Sequence, residues 1–127
     1  MLPFSKMTRA KSAFLRMKGP DVFAFAVEKG SEIVRQLLQE SEVEISEIKC
    51  FICHQANLHI IHKIADLLGV PLDRFFMNHA FYGNTAGASV LIALDEALSL
   101  GVIKKNDLVV TVAFGGGLSW GANLIRL

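Results

Sequence analysis

An apolar run, Ile48-Lys49-Cys50-Phe51-Ile52-Cys53, ends in the polar stretch His54-Gln55-Ala56-Asn57. A helical pattern follows at once, with Leu58, Ile61, Ile64, Ala65 and Leu68 on one face. That switch of period narrows the fold sharply. A short continuous apolar run feeding a helix reads as a buried strand of an α/β sheet, and ligands bind at the carboxyl edge of such sheets. Two more stretches have the same character. Tyr82-Gly83-Asn84-Thr85 opens a helix, and Phe114-Gly115-Gly116-Gly117 ends an apolar strand. The three loops are expected to meet at one site.

The rest of the pattern supports this class. Gly19-Pro20-Asp21 starts a helix, since proline suits its first position and an acid suits its positive end. Phe23, Ala26, Val27, Ile33, Val34, Leu37 and Leu38 form its apolar stripe, interrupted by Gly30. Residues 40–47 are an acidic connection. Strands are expected at 48–53, 75–77, 108–114 and 118–127, the last pairing antiparallel with its predecessor. Helices are expected at 57–68, stopped by Gly69-Val70-Pro71, and at 86–100, stopped by Gly101. The small residues Ala86, Gly87, Ala88 and Ser89 predict a helix start packed tightly on several sides. The fold class is therefore α/β, with helices on both faces of a mixed, mostly parallel sheet.

Composition bounds the function. At 127 residues one domain is expected, large enough for a real core. A net charge of +1 gives no pull toward nucleic acid. Hydrophobic residues make up 52% of the chain, with mean hydropathy +0.42, so either the core is rich or an apolar face expects a partner. The uncharged stretch 108–125 has the length of a membrane span, but three consecutive glycines with Ser119 and Asn123 break it into two strands, so no membrane role is expected. The first residues lack a signal-peptide apolar core. The first twenty residues hold Lys6, Arg9, Lys11, Arg16 and Lys18 and no acid, which reads as a solvated loop rather than a transit peptide; residues 1–12 are expected as an exposed lead-in and Phe14-Leu15-Arg16-Met17 as a short extended piece. The expected setting is cytoplasmic.

Cys50-Phe51-Ile52-Cys53-His54 fits the C-x-x-C-H pattern of haem attachment. Residues three apart on a strand point to opposite faces, so the two thiols cannot share one haem or zinc. Nor do they start a helix, as a redox pair would. Two core cysteines are the expectation, with His59, His62 and His79 not metal ligands; no metal or cofactor is expected. Singly, His54 is a core residue, Asn84 a helix cap and residues 115–117 a turn. Together they supply a donor ring, a donor amide and an exposed backbone N–H, the parts of an oxyanion-stabilising site.

Residues 53–57, 82–89 and 113–121, in order and at matching spacing, resemble the three C-terminal signatures of 3-oxoacyl-[acyl carrier protein] synthase III, a thiolase-fold family that starts fatty acid synthesis. Residues 15–23 resemble the stretch that opens a helix in that family. The resemblance covers residues 13–127, one C-terminal thiolase-like domain, and about the last third of such an enzyme. It implies decarboxylative condensation of an acyl-coenzyme A with malonyl-[acyl carrier protein]. His54 and Asn84 match the catalytic histidine and asparagine that hydrogen-bond the malonyl thioester carbonyl. Gly116 matches the oxyanion-hole glycine of the acyl-transfer step. Gly19, Phe23, Ala56 and Asn57 match positions of the pantetheine tunnel, Asn57 bonding a pantetheine amide, and Phe114 matches an aromatic residue beside the site.

The departures from the family pattern are specific. The family's cysteine nucleophile lies in the other half and has no counterpart here, and the first edge strand of this half is missing. Pro20 stands where asparagine is common, His59 where arginine is, and Ala24 where lysine is, the last two in the patch that docks the carrier protein. The expected partners are thus acyl-coenzyme A, malonyl-carrier and acyl carrier protein, together with a nucleophile-bearing N-terminal half or a second copy. Two rivals remain: a non-catalytic interaction module of a split enzyme, and a related acyltransferase of polyketide or quinolone type.

Overall fold

The computed structural model describes residues 17–127. The expected lead-in at residues 1–12 lies outside them, as does the extended piece at 14–17 apart from Met17.

Helix α1, Gly19–Glu40, begins with Pro20 in its first turn and Asp21 beside its positive end. Its buried positions Ala26, Gly30, Val34 and Leu38 recur every fourth residue, a single stripe facing the core. After a 3-10 turn, Ile45–Glu47, strand β1 spans Cys50–Cys53 and is buried on both faces. Helix α2, Leu58–Leu68, is capped by Asn57 and buries Ile60, Ile61, Ile64 and Ala65. Gly69 closes it at φ 67, a left-handed value that glycine adopts without steric cost.

A second 3-10 turn, Leu72–Arg74, precedes the segment expected to be a strand at 75–77. Only one bridge forms there, Phe75 parallel to Phe51, with Phe76 N–H donating to Phe51 O at 3.0 Å. Gln55 explains the short pairing. Its side chain accepts from Asn78 N–H and donates to Phe76 O, which turns the chain away from the ladder. A four-residue helix, α3 (His79–Tyr82), follows. The helix expected at 86–100 starts later: Ala86–Ala88 is a 3-10 turn, and helix α4 spans Ser89–Ser99. Within this chain Ala86, Gly87 and Ala88 are exposed, contrary to the tight packing expected of them, because no described element covers that side. Strands β2, Leu108–Gly115, and β3, Ser119–Arg126, complete the chain.

The sheet order is β1-β2-β3. β1 and β2 run parallel from Cys50↔Val109 to Cys53↔Val112, and β3 pairs antiparallel along the whole of β2. The sheet is therefore mixed, with its parallel part at β1 where both faces are covered. On one face, α1 and α2 pack with Phe51, Cys53, Val110, Val112 and Phe114. On the other, Ala93 and Ala97 of α4 pack with Cys50, Ile52 and Val109. The helices thus sit on both faces of a mixed sheet, as expected, but among the described strands the longer pairing is antiparallel, because β3 returns along the whole of β2. Arg74 anchors the far end, its guanidinium donating to the carbonyls of Ile45, Ser46 and Ile48. No helix among the described residues is long and apolar enough to cross a membrane.

Candidate active site

β1 and β2 are parallel, so both present their carboxyl ends at the same edge. His54 follows β1 and extends the ladder by one bond, its N–H donating to Val112 O at 2.7 Å. Strand alternation then turns its side chain away from the Cys53 face and toward α4. There its Nδ1 is hydrogen-bonded to Ser89 Oγ, on the first residue of α4. The ring is half-buried and sits edge-on to Phe114, with centroids 5.3 Å apart. Burial lowers its pKa below the usual 6.5, favouring the neutral ring.

The backbone after His54 is held from several sides. Gln55 is buried, and its Nε2 donates to Cys53 O at 2.8 Å. His79 Nδ1–H donates to Gln55 O at 2.7 Å. Asn78 in turn donates to Glu96 on α4 at 2.8 Å. This network ties the end of β1 to the turn that precedes Asn84.

Asn84 lies five residues before Ser89, the residue that contacts His54. Its Oδ1 accepts from Ala86 N–H at 2.9 Å. This bond makes a local turn and not a helix cap, since Thr85 precedes the 3-10 turn and Ala88 precedes α4, and the amide nitrogen remains as a donor. Ala86 adopts φ 51, a left-handed backbone that costs a non-glycine residue about 1 kcal/mol. Gly116 is exposed in the turn between β2 and β3, where its carbonyl accepts from Ser119 Oγ at 3.0 Å. Gly117 beside it has φ 144, and a Cβ there would meet Ser119 N at 3.1 Å.

The expected tunnel residues differ in their surroundings. Phe23 and Ala56 are partly buried against the same core as Phe114. Gly19 is the exposed first residue of α1. Asn57 caps α2, accepting from His59 N–H at 2.8 Å. Pro20, Ala24 and His59 are all exposed. A depression of about 280 Å³ is lined by Ala113, Phe114, Gly115, Ser119, Trp120 and Gly121, and neither His54 nor Asn84 is in its wall. A larger cleft of about 620 Å³ lies at the opposite edge, among Lys49, Arg74, Asp107 and Arg126.

Cys50 and Cys53 are buried and free, on opposite faces of the sheet as strand alternation requires. Burial raises both thiols, Cys53 to about 12. Such thiols are poor nucleophiles. The residues missed from sequence were Ser89, Gln55, Asn78 and His79. Only Ser89 carried a readable signal, a polar side chain at the start of a helix whose later inward positions, Ala93 and Ala97, lie four and eight residues on.

Residues 38–127 match the family described as 3-Oxoacyl-[acyl-carrier-protein (ACP)] synthase III C terminal. The chain is 41% identical over 125 residues to a beta-ketoacyl-[acyl-carrier-protein] synthase III of Clostridium perfringens, covering 98% of this chain and 39% of that protein. Its fold superposes on the crystal structure of the 3-oxoacyl-[acyl-carrier-protein] synthase III of Aquifex aeolicus with a TM-score of 0.88 at 43% identity, covering 90% of this chain and 37% of that one. The corresponding Thermus thermophilus synthase III gives 0.89 at 37% identity, covering 91% and 36%. The chain thus spans less than two-fifths of the length of the relatives it matches.

Proposed function

This chain belongs to the 3-oxoacyl-[acyl-carrier-protein] synthase III C-terminal family, and on that premise we propose that it supplies the decarboxylation machinery of an enzyme condensing an acyl-coenzyme A with malonyl-[acyl carrier protein] in fatty acid biosynthesis. The position of His54 at the carboxyl end of β1, with its ring held through Nδ1 by Ser89 at the start of the helix that follows the Asn84 turn, carries this reading. The His54 ring N–H and the Asn84 amide both donate to the malonyl thioester oxygen. The bond between the α-carbon and the carboxylate breaks, carbon dioxide leaves, and its electron pair passes into an enolate whose oxygen the two donors stabilise. The enolate carbon then attacks the carbonyl of an acyl thioester, expelling the enzyme thiolate.

That thiolate belongs to a cysteine outside this chain, since Cys50 and Cys53 lie within the core. Gly116 N–H serves the oxyanion of the acyl-transfer step. Gly19, Phe23, Ala56, Asn57 and Phe114 line the approach of the pantetheine arm, with the Asn57 amide nitrogen free of the cap to meet an amide of the arm. The partners are the two thioesters, the carrier protein, and a nucleophile-bearing half or a second copy.

The test uses the chain alone and the chain mixed with the N-terminal half of a synthase, each given labelled acyl-coenzyme A and malonyl-carrier. Condensation is expected only in the mixture. Turnover by the isolated chain sinks the division of labour, and a mixture that assembles yet releases no carbon dioxide favours a non-catalytic module.

A further inference from the structure

Ser89 Oγ makes two hydrogen bonds among the described residues, and they have different consequences. Gln55 N–H, at 3.2 Å, can only donate, so Oγ accepts there. The other partner is His54 Nδ1. Ser89 is 1% exposed, and no buried side-chain polar atom among the described residues lacks a partner. Were Nδ1 protonated, Oγ would accept twice and its own proton would face no acceptor in a dry site. A buried hydroxyl left without an acceptor is costly. With Nδ1 unprotonated, every group is satisfied.

We infer that Ser89 is a positioning residue that donates its hydroxyl proton to His54 Nδ1 and thereby keeps the ring proton on Nε2. The ring is then a donor toward the open edge and not a base. One oxygen on the rigid first turn of α4 sets both the tautomer and the ring plane, while its bond from Gln55 N–H fixes the backbone that carries the ring. The role in catalysis rests on the reading of His54 as an oxyanion donor. The tautomer itself does not.

The two are therefore tested separately. Long-range ¹H–¹⁵N spectra of the histidine-labelled full chain at about pH 8, where the ring is neutral, report which nitrogen holds the proton. The His54 signals are assigned by their loss in His54→Gln. The expected pattern is Nε2–H in the unaltered chain, a mixture of tautomers in Ser89→Ala, and recovery in Ser89→Thr, which keeps a hydroxyl. His54 protonated on Nδ1 in the unaltered chain overturns the inference without any variant. So does a well-folded Ser89→Ala whose tautomer is unchanged. In the chain assembled with a nucleophile-bearing half, Ser89→Ala should lower kcat for decarboxylation roughly tenfold with KM unchanged, the effect of one hydrogen bond on a rate. If the tautomer shifts as expected while His54→Ala leaves decarboxylation intact, the functional reading fails and the tautomer assignment stands.

Discussion

A Cβ placed on Gly30 would lie 2.7 Å from Cδ1 of Ile64. Gly30 is thus the point where α1 closes onto α2, and the residue that looks like a weakness in the helix is what permits the approach. Gly30→Ala gains up to about 1 kcal/mol of helix propensity, while crowding a buried side chain costs about 1–3 kcal/mol. The single change should therefore destabilise, by about 1 kcal/mol. In an Ile64→Val background, which deletes Cδ1, the same change should stabilise. Urea unfolding of the four proteins measures this. An equal effect in both backgrounds would place the cause elsewhere.

In the assembled enzyme, His54→Ala or Asn84→Ala should slow malonyl decarboxylation about a hundredfold, roughly 3 kcal/mol of lost oxyanion stabilisation. Transfer of the acyl group should suffer much less. The two half-reactions are followed as released carbon dioxide and as protein-bound acyl label. Equal losses would mean that these residues support structure.

Burial depresses the His54 pKa, so the folded state prefers the neutral ring. The unfolded histidine takes up its proton near 6.5, before the folded one does. The stabilisation is therefore complete above that pH and is lost as pH falls through the folded pKa. An NMR titration should give a midpoint below 6.5. Between about pH 8 and about pH 5 the chain should lose more stability than His54→Gln does.

Cys53 carries the opposite sign. Its thiol is raised from 9.0 to about 12 by burial, so stability is intact below pH 9 and falls between pH 9 and 12 as the unfolded thiol ionises. Cys53→Ala should flatten that loss relative to the unaltered chain. Alkylation offers a second measurement: Cys53 should resist iodoacetamide at neutral pH until the protein unfolds. Rapid labelling of the folded chain contradicts the burial argument.

Phe81 is 84% exposed, Leu91 67% and Leu100 66%, and Ala86, Gly87 and Ala88 are also bare. Apolar surface of this kind drives association. Sedimentation of the chain alone should show concentration-dependent oligomers, replaced by a discrete complex on adding the nucleophile-bearing half. A chain that stays monomeric at high concentration and ignores that half would refute the expected pairing.

The local signals in the chain determined most of its elements. The period change at His54 marked the end of β1 and the start of α2, Pro20 and Asp21 marked the start of α1, and Gly69 its neighbour's end. Alternation alone sent Cys50 and Cys53 to opposite faces. These features were legible because period, capping and backbone freedom act between residues close in sequence. Three outcomes needed the folded chain. Phe75 makes one bridge and no strand, because Gln55, some twenty residues away, captures the backbone at Asn78 and Phe76. Ala86–Ala88 lie bare because their covering is not among the described elements. Ser89 reaches His54 across 35 positions, a contact that exists only once α4 has packed onto the sheet. Hydrogen bonds between distant residues depend on tertiary packing, and that packing decides how His54 is held.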